Sequence, residues 1–254
     1  MADFENEDLS SSTFSRVRLA GSDFSRVEFT NAHFWEVDLS GSRFDSVGLQ
    51  GVQVWGEIDG LSINGVSVAP LVDAELTRLY PEYAGLKPVD AQGYRDSWER
   101  LQQVWATTLA RAETLDPALL TAHVGAEWSF IQTVRHLSFA ITSWLDGAIG
   151  GDPSPWEPLD LPWDQMPPHP DVPWDKTTDV DLAQARELYD ASAARLTAYL
   201  GQLTDDQLDR PAKGSPNPNW PDERPEVAEA LQVIFNEAFW YHRFAVRDLD
   251  QLDN

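Results

Sequence analysis

The chain contains no cysteine, so it has no disulfide framework, no thiolate metal site and no cysteine nucleophile; any metal must rest on His, Asp or Glu. Positive charge is scarce: 18 Lys and Arg stand against 42 Asp and Glu, a net charge of −24. Phosphate-bearing partners are gripped by clustered Lys and Arg, which counts against nucleic acid and anionic lipid as partners. The acidity is spread along the chain and reads as solubility. No run approaches the ~18 apolar residues of a membrane span. The start, Met1-Ala2-Asp3-Phe4-Glu5, lacks the basic and apolar regions of a secretion signal. A soluble cytoplasmic protein is the expectation.

What is present first is a beat of five. Large apolar residues fall at Phe4, Leu9, Phe14, Leu19, Phe24, Phe29, Phe34, Leu39, Phe44, Leu49 and Val54, then, one residue short, at Ile58, Ile63 and Val68. Small or β-branched residues precede most of them by two, as in Ser12, Val17, Ser22, Val27 and Ala32. Residues two apart in extended backbone share a face, so each repeat turns one large and one small side chain inward. Such units bury an apolar face only by stacking, which is a solenoid.

The segments Ala2-Asp3-Phe4-Glu5-Asn6, Ser22-Asp23-Phe24-Ser25-Arg26 and Val37-Asp38-Leu39-Ser40-Gly41 resemble pentapeptide-repeat proteins. The resemblance implies a right-handed quadrilateral β-helix, four repeats per coil, over residues 1–69. At ~4.8 Å per stacked strand it would stand only about 17 Å tall. Some such proteins are acidic rods that mimic DNA, and this region holds eleven acidic against four basic residues. One duplex turn is ~34 Å, about twice this height.

From residue 70 to 254 the pattern becomes helical, so the expected architecture is multi-domain, β followed by all-α. A short helix is expected over Leu71–Leu79 and a long one over Val89–Leu115, where Tyr94, Trp98, Leu101, Val104, Trp105, Leu109 and Ala112 form one stripe. Ser129 followed by Gln132 is a capping box that opens the next helix. Eight prolines and three tryptophans over Asp152–Thr177 make a long irregular crossover. Helices over Asp179–Gly201 and Glu226–Leu249, with a small turn at Asp205–Leu208, complete a four-helix bundle.

Two local sequences bear on chemistry. Trp128-Ser129-Phe130-Ile131-Gln132-Thr133-Val134-Arg135-His136-Leu137 and the stretch from Asn236 to Asp250 resemble DinB-like (YfiT-like) proteins. The resemblance implies a bundle whose core holds zinc or nickel through a His on the second helix and a Glu/His-x-x-x-His pair on the fourth. In some members that metal activates a low-molecular-weight thiol for transfer or isomerisation, as a metal-bound thiol loses its proton at neutral pH. His136 and Glu237 fall on the first two ligand positions. The third holds Tyr241 instead of His, and His242, five residues after Glu237, projects some 140° from it around a helix. Three readings stay open: an ion held by His136, Glu237 and the Tyr241 hydroxyl; a local bulge turning His242 inward; or a bundle without its metal.

Aromatic residues supply a further expectation. Trp144 and Trp163 are candidates for contact with a cofactor, and Trp156, Trp163, Trp174 and Trp220 would either wall an apolar cleft or staple the loops to the helices. The function classes are therefore a metal- and thiol-dependent transferase or isomerase acting on an unidentified small molecule, with the β-helix as docking module, and a non-catalytic protein that binds a protein partner. A homodimer is the expected assembly.

Overall fold

A computed structural model describes residues 4–34, 37–56, 58–125, 127–163, 166, 172, 174–217 and 224–253. The chain divides into two compact units, residues 1–56 and 57–254. His169 and Trp220, singled out in the sequence, lie outside the described residues.

In the first unit the five-residue beat is a beat of corners. Left-handed backbone recurs at Asn6, Ser11, Arg16, Gly21, Arg26, Asn31, Gly41, Ser46, Gly51 and Gly56, with Gly and Asn taking the positions they tolerate best. Turn hydrogen bonds recur every ten residues, from Ser12 N to Leu9 O (3.1 Å), Ser22 N to Leu19 O (3.1 Å), Ala32 N to Phe29 O (3.0 Å) and Ser42 N to Leu39 O (3.0 Å). Phe29 meets Phe24 and Phe34 edge-on at 5.8 and 5.6 Å. Among the described residues of this unit there is no strand ladder, and the large centres are open, Phe14 by 61% and Leu39 by 51%. Corners are set locally by left-handed residues. Burial of the centres would need backbone pairing between successive coils, and that pairing is absent among the described residues.

The second unit begins with a hairpin. β1 (Ser62–Ile63) pairs antiparallel with β2 (Val66–Ser67), across Asn64 and Gly65, both at positive φ. Asn-Gly is the favoured pair for a two-residue turn whose twist matches the strands. Ile63 thus belongs to a hairpin where a further coil of the solenoid was expected.

Seven α-helices follow among the described residues: α1 (Ala69–Leu79), α2 (Ala91–Ala112), α3 (Pro117–Thr121), α4 (Phe130–Ile141), α5 (Leu182–Gln202), α6 (Asp205–Leu208) and α7 (Val227–Leu252). Asp90 caps α2 by accepting from Gly93 N (2.7 Å), and Asp116 starts the unanticipated α3 by accepting from Ala118 N (2.9 Å). α4 has the expected capping box, with Gln132 N donating to Ser129 Oγ and Ser129 N to Gln132 Oε1. It continues as a π-helical stretch over Thr142–Ile149.

The long helices close a ring: α4 packs on α5 and α7, and α2 packs on the same two. The α2 stripe is buried as expected save for Val104, which is half-buried. Its polar handles tie it to its neighbours: Trp98 Nε1 donates to Thr197 Oγ1 (2.9 Å) and Trp105 Nε1 to Ala238 O (2.8 Å). α4 is buried on nearly every side, because the crossover lies over its outer face. Phe139, Trp156, Met166 and Val172 form a separate small core there, with Trp163 and Trp174 packed against it. The described tryptophans of this loop therefore staple it to the bundle. Arg135 anchors it further, donating from Nε to Leu159 O (2.7 Å) and from Nη2 to Asp175 O (2.9 Å).

Candidate functional site

His136 sits on α4, and Glu237 and Tyr241 sit one helical turn apart on α7, so the packing of these two helices faces the three toward one another. The imidazole is 6% exposed. Its Nδ1 lies 2.8 Å from the Leu161 carbonyl of the crossover. A carbonyl only accepts, so Nδ1 is the donor, and in the uncharged tautomer the lone pair is left on Nε2. That nitrogen is 3.6 Å from Glu237 Oε2, too far for a hydrogen bond. Glu237 Oε2 is itself buried and has no hydrogen-bond partner among the described residues.

Rings close the space around this pair. Trp128, Tyr241 and Phe139 lie 4.4, 5.0 and 5.7 Å from the imidazole, centroid to centroid. Trp128 also stacks on Tyr241 at 5.9 Å with planes 20° apart. The Tyr241 hydroxyl is turned to the Glu237 carboxylate, and burial first, then that negative charge and hydrogen bond, push its pKa upward. Arg247 pairs with both Glu127 and Asp248, which ties the residue before Trp128 to α7.

His242, also expected at the metal, is placed elsewhere. α7 is α-helical throughout, and His242 faces α2, with Nε2 2.9 Å from Thr108 Oγ1 and its ring 5.4 Å from Trp105. Burial and then the neighbouring Arg243 charge push its pKa down to about 4. Trp163 stands one ring removed from His136, 6.0 Å from Phe139. Trp144 is half-buried on the π-helical stretch against the main core. Sequence reasoning did not single out Phe139 or the Leu161 carbonyl, and it quoted Trp128 without a role. Its position just before the capping serine was the available signal, whereas a backbone carbonyl leaves none.

A second buried carboxyl lies beside the site. Asp160 precedes Leu161 in the crossover; its Oδ2 accepts from Glu157 N (3.0 Å) while Oδ1 is buried without a partner among the described residues. Burial is the main cause that pushes its pKa up to about 6.

The donors fit a metal in part. A tetrahedral ion bound to one nitrogen and one oxygen holds them roughly 3.4 Å apart, close to the 3.6 Å between His136 Nε2 and Glu237 Oε2. A metal-ligating imidazole commonly donates its other N–H to a carbonyl, as His136 does to Leu161. Among the described residues, however, no three His, Asp or Glu side chains converge on one point, so a third protein donor must be the phenol.

Fold and site together define a helical-bundle protein in which a buried imidazole faces a half-buried carboxylate and a half-buried phenol. The DinB superfamily profile matches residues 100–239, more than half of the chain, and the chain belongs to that superfamily. The N-terminal part carries pentapeptide repeats, eight copies of which are matched over residues 8–45 and 22–53. No curated protein and no solved structure matches the chain. Among the described residues no helix is long and apolar enough to cross a membrane.

Proposed function

We propose that His136, Glu237 and Tyr241 hold one divalent metal ion and that the site serves a low-molecular-weight thiol in a transfer or isomerisation reaction. The observation that carries this reading is Glu237 Oε2, buried and unpartnered beside an imidazole whose free lone pair points to the same gap. A buried polar group left unsatisfied costs about 1–3 kcal/mol, and a cation between the two donors offsets that cost. A bound ion would supply the positive charge that turns a thiol into a nucleophile at neutral pH. The chain's own contribution is orientation: Leu161 fixes the imidazole tautomer, and Trp128 and Phe139 exclude water from one side.

Elemental analysis of the full chain, as isolated and after loading with Zn²⁺ or Ni²⁺, tests this. One equivalent of metal is expected in the wild type and none in His136→Ala. Absence from both proteins sinks the enzyme reading. The competing class is a non-catalytic interaction protein, favoured by the shortage of a third His or carboxylate at the site.

For the N-terminal unit the proposal is closure of the repeats into the quadrilateral β-helix, supported by left-handed corners at five-residue spacing among the described residues, with the closed coil acting as a docking and dimerising surface. Light scattering at micromolar concentration should then give twice the 28.5 kDa chain mass. A monomer alone would remove the dimer.

A further inference from the structure

We infer that a cleft between α5 and the π-helical stretch is a second binding site, which takes a small organic acid as its monocarboxylate. It is independent of the His136 site: its lining comes from the π-helical stretch, from α5 and from the loop after α6, with no residue of α7. Leu145, Ile149 and Tyr199 give it apolar surface, and Asp146, Arg195 and Lys213 give it charge. The cavity measures about 210 Å³, below the 300–1,000 Å³ that drug-sized ligands occupy, so its occupant is small. Gly150 N donates to Leu145 O across five residues (2.8 Å), the bonding of a π-helix. Such turns are rare and are frequently found at functional sites.

Lys213 is brought to the cleft by its backbone. Lys213 N and Gly214 N both donate to Ala148 O (3.0 and 2.9 Å), and a Cβ at Gly214 would lie 2.5 Å from Gly147 O, so only glycine lets the loop sit this close. The lysine side chain is left over from that anchoring. Of the chain's three lysines, Lys87 pairs with Asp73 (3.4 Å) and Lys176 donates to Trp163 O (3.1 Å), whereas Lys213 forms no ion pair among the described residues. Arg195 is already committed, donating from Nε to Asp146 Oδ2 (2.9 Å) and from Nη2 to Thr142 Oγ1 (3.1 Å). Two cations and one carboxylate leave the cleft a single positive charge, in a chain whose net charge is −24. A monoanion balances that charge. A phosphate dianion exceeds it and sets its second charge against Asp146, and an uncharged ligand leaves Lys213 unpaired. The ligand is therefore a carboxylate held by the Lys213 ammonium, with a compact apolar body against Leu145 and Ile149.

The experiment is an NMR titration of the methyl-labelled full chain with hexanoate. Saturable shifts of the Leu145 and Ile149 methyl signals are expected. Lys213 is exposed and its loop is held through main-chain groups, so Lys213→Ala should keep its helical circular dichroism and bind hexanoate about tenfold or more weakly. Lys213→Arg should retain binding. Hexanamide, which lacks the charge, and inorganic phosphate at the same concentrations should leave both signals in place. His136→Ala should bind hexanoate as the wild type does. The absence of a saturable shift, equal affinity in Lys213→Ala, or shifts of the same size with hexanamide or phosphate overturns the inference. Loss of binding in His136→Ala would put hexanoate at the other site and overturn it as well.

Discussion

Asp160→Asn is expected to stabilise the folded chain by up to about 3 kcal/mol at pH 7.5, and by less than about 1 kcal/mol at pH 4. The carboxyl is 1% exposed and is pushed from 3.8 up to about 6 mainly by burial, with the Glu157 charge adding to that and the Ser138 hydroxyl and Arg195 opposing it. A folded state that raises a carboxyl's pKa binds the proton more tightly than the unfolded chain does. The stability it contributes is therefore full below about pH 4 and is lost as the pH rises through 6. An amide fills the same space with no charge to desolvate, so the variant should lack this loss. Urea unfolding of both proteins at pH 4, 5, 6 and 7.5 reads the difference directly. A constant gap between the two curves would show that Asp160 does not titrate in this window.

His242→Gln is expected to act in the opposite sense. The wild-type imidazole is pushed from 6.5 down to about 4, so the unfolded chain takes up a proton that the folded chain refuses. Stability from this residue is present above about pH 6.5 and is lost as the pH falls through 4, about 3 kcal/mol in all. Glutamine can still reach Thr108, whose Oγ1 lies 2.9 Å from the imidazole, and carries no charge. At pH 7.5 the variant should be the weaker protein, for want of the ring against Trp105; at pH 4.5 the deficit should shrink or reverse. A deficit that grows on acidification would contradict this account. Between pH 4 and 6 the two groups oppose each other, so the wild type should be nearly flat there and each single variant should expose the other residue's slope.

Periodicity carried most of the bundle. The α2 stripe from Tyr94 to Ala112 and the Ser129–Gln132 box needed only spacing to be placed. The hairpin was hidden because Ile58 and Ile63 prolong the five-residue beat, although Asn64-Gly65 is the stronger local signal. The burial of Arg135 and Ser143 was not legible either, since these polar positions face a crossover whose path depends on contacts such as Arg135 to Leu159 O and Trp156 Nε1 to Ser143 Oγ. The candidate site was legible as residue types on two helices. Its distances were not, because they depend on how α4 and α7 pack and on the Leu161 carbonyl, which any residue would supply.

The covering of α4 bears on how this chain could drift over generations. Eleven of its twelve residues are buried, so almost every substitution there must satisfy two neighbours at once, a helix on one side and the crossover on the other. An exposed stretch of α5 can change one residue at a time, whereas α4 could change only together with the loop that wraps it. Innovation in this bundle is thus channelled into coordinated replacement of helix and strap, leaving the imidazole they enclose as the point both must continue to accommodate.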